Sequence, residues 1–208
     1  MSDYFTRRET MVDTQVRPSD VTKFPIIEAM LAVPREQFVP AAKREAAYMG
    51  ENIDLGGGRV LLEARTLAKL LDAVDIQPDE SVLDIGCAYG YSSAVIARMA
   101  GSVVAVEEDA EMAAAAQAVA AKVVAGPLAS GAAGSFDVVI LQGGVEEIPA
   151  AIEAQVRDGG RIIAVFMQGA LGTARIGFKA DGQINWRYAF NATAPVLPGF
   201  AKARVFAL

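Results

Sequence analysis

From residue 80 onward, short apolar runs alternate with helical segments, and this alternation constrains the fold more than any other feature. The runs SVLDIG, SVVAVEE, KVVAG, FDVVILQ and GRIIAVF have the length of strands and are apolar at successive positions. Strands that are apolar on both faces are typical of parallel sheets covered by helices on both sides. The segments SSAVIARMA, AEMAAAAQAVAA and IPAAIEAQV between them have helical patterns. The alternation therefore predicts an α/β fold with a mostly parallel, doubly wound sheet.

The two ends of the chain have different patterns. The first fifty residues predict a helical region, with one helix over 21–31, a proline-marked break and a second helix over 41–48. A glycine loop follows, and the apolar spacing then predicts a helix over 63–74. After residue 172, spaced aromatic residues and the final ARVFAL predict antiparallel strands that close one edge of the sheet.

Composition excludes several kinds of function. The 208 residues include no histidine, which rules out a Ser-His-Asp triad and a His-ligated zinc, and the single cysteine, Cys87, rules out an intrachain disulfide. We expect no metal. The net charge of −6 argues against a nucleic-acid partner or an anionic membrane surface. The polar N-terminal stretch lacks the apolar core of a signal peptide, so we expect a soluble cytoplasmic protein.

The sharpest local motif is VLDIGCAYGYSS. A strand ends near Asp84, a turn runs from Gly86 to Gly90, and a helix follows, so a ligand can approach the backbone at the carboxyl edge of the sheet. The next strand ends in Glu107, about 20 residues further on, where a carboxylate can accept hydrogen bonds from ribose hydroxyls. The alternative is structural: the glycines make a tight turn, and Glu107 and Glu108 cap the next helix.

The same motif distinguishes between nucleoside cofactors. A nicotinamide dinucleotide fingerprint would be G-x-G-x-x-G, and the corresponding positions here are Gly86, Ala88 and Tyr91. Two of the three glycines are missing, and Asp84 would repel a pyrophosphate at short range. S-adenosylmethionine instead carries a sulfonium and an amino group, which suit an acidic neighbour. Asp84 can alternatively cap the strand end.

Three stretches of the chain carry a resemblance to a known family. They are MVDTQVRPSDVTKFPIIEAMLAVPREQFVPAAKREAAY, VLDIGCAYGYSSAVIA and FDVVILQGGVEEIPAAIEAQVRDGGRII. Together they resemble the protein-L-isoaspartate O-methyltransferase family over nearly the whole chain. The resemblance implies a Rossmann-like methyltransferase fold, S-adenosylmethionine as cofactor with S-adenosylhomocysteine as product, and methylation of isoaspartyl carboxylates. We expect one domain, 1–208, with a helical region and active-site loop (1–62), a nucleoside-binding core (63–172) and C-terminal strands (173–208).

The resemblance also gives the stretch LGGGRVLLEA a role as the family's glycine loop beside the active site. Members of the family follow these glycines with a threonine or similar residue, an aliphatic residue and a serine that contacts substrate, where this chain has Val60, Leu61 and Leu62. Glu63 and Ala64 replace a neutral amide and a proline. We therefore expect weak methylation of isoaspartyl carboxylates and assign no catalytic residue.

Two further positions depart from the family pattern. Ala88 stands where many relatives have glycine, and Pro127 or Ala125 stands where an acid helps to hold adenine. Three functions stay open: an isoaspartyl methyltransferase, a methyltransferase for another acceptor, and a non-catalytic binding protein, with a homodimer as an open assembly state. The partner implied by the first is a protein or peptide that contains isoaspartyl residues. The predicted cofactor contacts are Asp84, Gly86, Cys87, Ala88, Gly90, Glu107 and Gln142.

Overall fold

In the computed structural model, which describes residues 3–119 and 122–203, strands and helices alternate from residue 81 to residue 168. The strands of the chain are β1 (Ile53–Gly56), β2 (Arg59–Leu61), β3 (Ser81–Ile85), β4 (Ser102–Glu107), β5 (Val123–Ala125), β6 (Phe136–Val145), β7 (Val156–Gln168), β8 (Leu171–Ala180) and β9 (Gln183–Asn191). The α-helices are α1 (Tyr4–Met11), α2 (Phe24–Ala32), α3 (Ala64–Val74), α4 (Tyr91–Ile96), α5 (Ala110–Ala116) and α6 (Ala150–Gln155).

The described residues form one seven-stranded sheet in the order β5-β4-β3-β6-β7-β8-β9 and a separate two-stranded hairpin, β1-β2. The pairs from β5 to β7 are parallel, whereas β7-β8 and β8-β9 are antiparallel. These pairings confirm the predicted mostly parallel sheet with an antiparallel C-terminal edge. Apart from Ala203, the final ARVFAL lies outside the described residues.

Both faces of the central parallel strands β3 and β6 are buried, which explains why these strands are apolar at successive positions. Val138 and Ile140 of β6 join a core with the N-terminal helices, α3 and α4. The alternate residues Val139 and Leu141 join a second core with α6 and the chain near Phe200. Side chains of a strand alternate between faces, so β6 supplies both cores.

The N-terminal region is helical, but not all of it is α-helical. The helix expected over 21–31 is present as α2, and the expected helix over 41–48 is a 3₁₀-helix from Ala41 to Ala46. A second 3₁₀-helix, Arg35–Phe38, lies between the two prolines of the break. No helix in the described ranges is both long and apolar enough to cross a membrane.

The direction of winding changes between β3 and β6. β4 and β5 lie on one side of β3, whereas β6 and β7 lie on the other side. In open α/β sheets, ligands bind outside the carboxyl ends of the strands at such a switch point. Asp84, Glu107 and Gln142 all lie at this edge.

Candidate functional site

The carboxylate of Glu107, at the end of β4, lies fully buried with four hydrogen-bond donors around it. Oε1 accepts from the backbone N–H groups of Glu108 (3.0 Å) and Asp109 (3.1 Å). Oε2 accepts from the N–H of Ala88 (2.7 Å) and from Nη2 of Arg59 (2.8 Å). Each oxygen thus has two donors, which uses the acceptor positions of the carboxylate. The cap of helix α5 is Asp109, whose side chain accepts from Glu111 and Met112.

Arg59 reaches Glu107 from the glycine-rich hairpin. The side chains of Arg59 and Glu107 are 4% and 0% exposed, so their ion pair is buried. The guanidinium lies against the first glycine of the turn, because a Cβ added to Gly86 would be 2.8 Å from Nη2 of Arg59. Sequence reasoning missed this residue, since its partner lies 48 positions away in the chain and belongs to another element.

The glycines before Arg59 form the turn of the β1-β2 hairpin. Gly56, Gly57 and Gly58 have φ values of 92°, 58° and 75°, a region that disfavours side chains with a Cβ. Gly56 pairs with Arg59 in the register of the hairpin. The glycines are therefore needed for the positive φ angles of the turn. The turn places the side chain of Arg59 at the edge of the large sheet.

Asp84 at the end of β3 is also fully buried and is held by three donors. The hydroxyls of Ser92 and Ser93 donate to Oδ2 at 2.7 and 2.5 Å, and Nε2 of Gln142 donates to Oδ1 at 2.7 Å. Burial raises the pKa of Asp84 above its ordinary value, although these hydrogen bonds oppose the rise. The carboxylate ties helix α4 and strand β6 to β3.

The turn from Gly86 to Gly90 is left-handed at alternate residues. The φ values are 80° at Gly86, 49° at Ala88 and 91° at Gly90, so Ala88 adopts a conformation that glycine adopts at less cost. A Cβ on Gly90 would lie 2.8 Å from Cγ2 of Val119. Cys87 is buried beside these residues, and burial raises the pKa of its thiol.

A segment near the C-terminus closes the same edge from the other side. The N–H of Gly144 donates to Pro195 O, and the N–H of Leu197 donates to Gly144 O, both at 2.8 Å. The side chain of Leu197 lies over Gly143 and Gly86. A Cβ added to Gly143 would be 2.5 Å from Cδ2 of Leu197, and a Cβ added to Gly86 would be 3.4 Å from the same atom. Gly143 and Gly144 thus permit this close approach.

The predicted contact residues are brought together, and all seven are buried. Arg59 and Leu197 lie against Gly86, and Val119 packs against Gly90. A ligand that contacts the Gly86 backbone would therefore meet the side chains of Arg59 and Leu197. A cleft of 460 Å³ lies outside Arg59, which forms part of its wall together with Glu108, Asp109 and Glu111.

Leu62, where the family pattern has a serine, is 3% exposed and packs in the core. Its carbonyl accepts a hydrogen bond of 2.6 Å from the fully buried Arg35, which also donates to Ala47 O at 2.7 Å. The Arg35 guanidinium lies 4.9 Å from the ring centre of Tyr91, and burial lowers its pKa. The side chain of Leu62 is thus a core side chain and offers no polar group to a cleft.

Ala125 and Pro127, the two positions where the family pattern has an acid beside adenine, carry no carboxylate. Ala125 and Pro127 are both exposed beyond the middle of β5, and the N–H of Gly126 between them donates to Glu107 O at 3.0 Å. The side chains of Ala125 and Pro127 have no hydrogen-bond acceptor. The carboxylates of Glu108, Asp109 and Glu111 line the cleft outside Arg59.

The strand order, the switch point and the turn beside Glu107 define a Rossmann-like methyltransferase fold. A solved protein-L-isoaspartate O-methyltransferase superposes with a TM-score of 0.78 at 22% identity, over 92% of this chain and 66% of that one. A putative protein-L-isoaspartate O-methyltransferase from Plasmodium falciparum, solved in complex with S-adenosyl-L-homocysteine, gives 0.77 at 14% identity, over 95% and 99%.

Sequence comparisons specify the family within this class. The model of the Protein-L-isoaspartate(D-aspartate) O-methyltransferase family matches residues 6–190. The protein-L-isoaspartate O-methyltransferase of Methylorubrum extorquens is 32% identical over 164 residues, which cover 75% of this chain and 72% of that protein. Protein-L-isoaspartate O-methyltransferase 2 of Marinobacter nauticus is 34% identical over 165 residues, with 75% of each chain covered. The chain belongs to the protein-L-isoaspartate(D-aspartate) O-methyltransferase family.

Proposed function

We propose that this protein is an S-adenosylmethionine-dependent carboxyl O-methyltransferase that acts on isoaspartyl residues of proteins or peptides. The observation that carries the proposal is the buried carboxylate of Glu107 at the end of β4, which faces the Gly86–Gly90 turn at the switch point of the sheet. A carboxylate in this place suits the ribose hydroxyls of a nucleoside. Family membership over residues 6–190 supports the type of reaction.

We propose that five of the seven residues selected from the sequence contact the nucleoside and that the other two support them. Glu107 would hold the ribose, and the turn at Gly86, Cys87, Ala88 and Gly90 would border the ligand. Asp84 and Gln142 already bond to each other at 2.7 Å, so we give them the role of fixing this turn against β6. A nucleoside that contacts the Gly86 backbone would meet Arg59 and Leu197, so its binding requires these two side chains to move.

The chemistry agrees with a chain that has no histidine. The free carboxyl of an isoaspartyl residue is an α-carboxyl with a reference pKa of about 3.5, so the acceptor is already ionised at neutral pH and needs no general base. The protein's part is to position the acceptor and to exclude water, and positioning alone can account for a large share of a rate enhancement. Leu62 offers no hydroxyl to the acceptor, so we expect slow transfer.

A peptide acceptor has a suitable groove next to the hairpin. The groove has a volume of 630 Å³ and runs between the chain on either side of the hairpin and the adjoining ends of β8 and β9. Asn52 joins its two sides, because Nδ2 donates to Thr193 O at 3.0 Å while Oδ1 accepts from the N–H of Glu63 at 2.8 Å. Arg65 also lines the groove, where its guanidinium pairs with Oε1 of Glu63 at 2.9 Å, and Glu51 is a further lining residue.

A non-catalytic binding protein is the second candidate. It is favoured by Leu62, which has no hydroxyl, and by the lack of an acid at Ala125 and Pro127. The two candidates differ in one measurable property, methyl transfer.

The test is transfer of a radiolabelled methyl group from S-adenosylmethionine to a peptide with one isoaspartate. The control is the same peptide with a normal aspartate. We expect slow transfer to the isoaspartyl peptide and none above background to the control. Equal labelling of both peptides would contradict the isoaspartyl acceptor. No labelling by a folded preparation would favour the non-catalytic candidate or a methyltransferase for another acceptor.

A further inference from the structure

The four donors on Glu107 differ in their freedom to move. Three are backbone N–H groups of Ala88, Glu108 and Asp109, which belong to the turns that carry the site itself. The fourth is the Arg59 side chain, which comes from a different element. A ribose hydroxyl can bond to Oε2 of Glu107 only if one donor leaves, and Arg59 is the donor that can leave without dismantling the turn.

We infer that Arg59 is a latch on the cofactor site: its guanidinium competes with the nucleoside for Glu107, and ligand binding requires its release. The inference rests on the proposed function, because it assigns the nucleoside to Glu107. The competition is steric as well as electrostatic, since Nη2 of Arg59 lies 2.8 Å from the place of a Cβ on Gly86. A ligand that contacts the Gly86 backbone would meet this guanidinium.

The position of Arg59 relative to the outer cleft supports the latch. Arg59 is 3% exposed, yet it lines the cleft of 460 Å³, so it separates that cleft from Gly86 and Glu107. If its side chain moves away, the cleft extends inward to both residues. The same movement exposes the carboxylate on which the proposed function depends.

The released arginine has partners on the outer side. Glu108, Asp109 and Glu111 line the same cleft. A guanidinium that leaves Glu107 therefore exchanges one carboxylate for others in a more solvated place, where the cost of separating the buried pair is reduced. A wall without acids would offer no such exchange.

The closed position does not satisfy Arg59 fully. Its Nε is buried and has no hydrogen-bond partner within the part of the chain that the structure describes. A buried ion pair that only stabilises a fold gains most when its remaining donors are also bonded, and an orphaned buried donor carries a penalty. Release of Arg59 removes that penalty, which favours a switchable contact over a purely structural one.

The hairpin can move at its tip while its base stays fixed. Leu55 and Leu61 are 7% and 8% exposed and anchor the two strands. Gly57 and Gly58 would meet no atom within 4 Å even if each carried a Cβ. β2 starts at Arg59 itself, so a change in the glycine turn shifts the arginine without moving the core.

The experiment is calorimetric titration of S-adenosylhomocysteine into the wild-type protein and three variants. Arg59→Ala removes the latch, Arg59→Gln keeps a polar side chain without the charge, and Arg98→Ala removes an exposed arginine as a control with the same change of net charge. Folding of each variant is checked by circular dichroism. We expect at least tenfold tighter binding for Arg59→Ala, a smaller gain for Arg59→Gln, and a change of less than twofold for Arg98→Ala.

Three other results would overturn the latch. If the wild-type protein binds and both Arg59 variants bind equally or more weakly, Arg59 contacts the ligand or is neutral, and the latch is overturned while the proposed function stands. If no folded variant binds at millimolar ligand, the proposed function fails and the latch fails with it. If neither Arg59 variant folds, the arginine serves the fold, and the latch is also overturned.

Discussion

Glu107 has the most demanding environment among the residues of the site. A carboxylate without solvent exposure is stable only when its charge is compensated, and here three backbone donors and one guanidinium provide the compensation. The position of Glu107 was predictable, because a strand of apolar residues ended in an acid about 20 residues after the glycine turn. The contact of Arg59 with Glu107 was not predictable, because no local pattern shows which distant carboxylate an arginine will contact.

Leu62 leads to a prediction on stability. The change Leu62→Ser removes most of a side chain that is 3% exposed and buries a hydroxyl in the core. We expect a loss of about 2–5 kcal/mol in the free energy of unfolding, as for other large-to-small core changes. Urea denaturation measures it, and Leu171→Ser is the matched control because Leu171 is 78% exposed. A Leu62→Ser protein as stable as the control variant would show that this position is not part of the core.

At the scale of the element, the agreement between sequence and structure follows periodicity. The strands after residue 80 and helix α3 were predictable because continuous apolar runs and one-faced helical spacing last for several residues in each. The β1-β2 hairpin was interpreted as a loop, since each of its strands is too short to show alternation. The crossing of residues 194–200 over β6 has no periodicity at all, and its signal in the sequence is the pair Gly143–Gly144.

The connection from α3 to β3 is fixed by one arginine and leads to a prediction on pH. Arg161 of β7 donates to Oε1 and Oε2 of Glu80 at 2.6 and 2.7 Å, and also to the carbonyls of Val74 and Asp75 at the end of α3. The hydrogen bonds from Arg161 lower the pKa of Glu80 below its ordinary value of 4.5. A carboxyl whose pKa is lower in the folded state contributes stability above its unfolded pKa and loses it as the pH falls through the folded pKa.

We therefore expect Glu80→Gln to be less stable than the wild-type protein at pH 7, with a difference that shrinks as the pH falls below 4.5. The difference has its full size above that pH, because the unfolded carboxyl is then ionised as well. Denaturation midpoints between pH 7 and pH 3 measure it, with the exposed Glu28→Gln as control. A difference between wild type and Glu80→Gln that stays constant down to pH 3 would contradict the role given to the Arg161 contact.

At the scale of the whole molecule, the fold and the family were more predictable from the sequence than the contacts at the site. The parallel sheet, the switch point between β3 and β6 and the antiparallel edge all agree with the family match over residues 6–190. The sequence motifs were sufficient for these features because they depend on many residues at once. The closed state of the site depends on a few contacts, chiefly Arg59 and Leu197, that join distant parts of the chain.

We propose that a nucleoside cofactor binds at the carboxyl edge of β3 and β4 and displaces Arg59 together with the tip of the β1-β2 hairpin. Hydrogen–deuterium exchange of the wild-type protein, with and without saturating S-adenosylhomocysteine, tests it most directly. We expect slower exchange in peptides that cover residues 84–91 and 107–112, because the ligand covers their backbone. Faster exchange is expected at the hairpin tip, residues 56–59, because the released tip loses contacts. No change in any peptide, or protection confined to other surfaces such as residues 171–173 and 191–193, would contradict the claim.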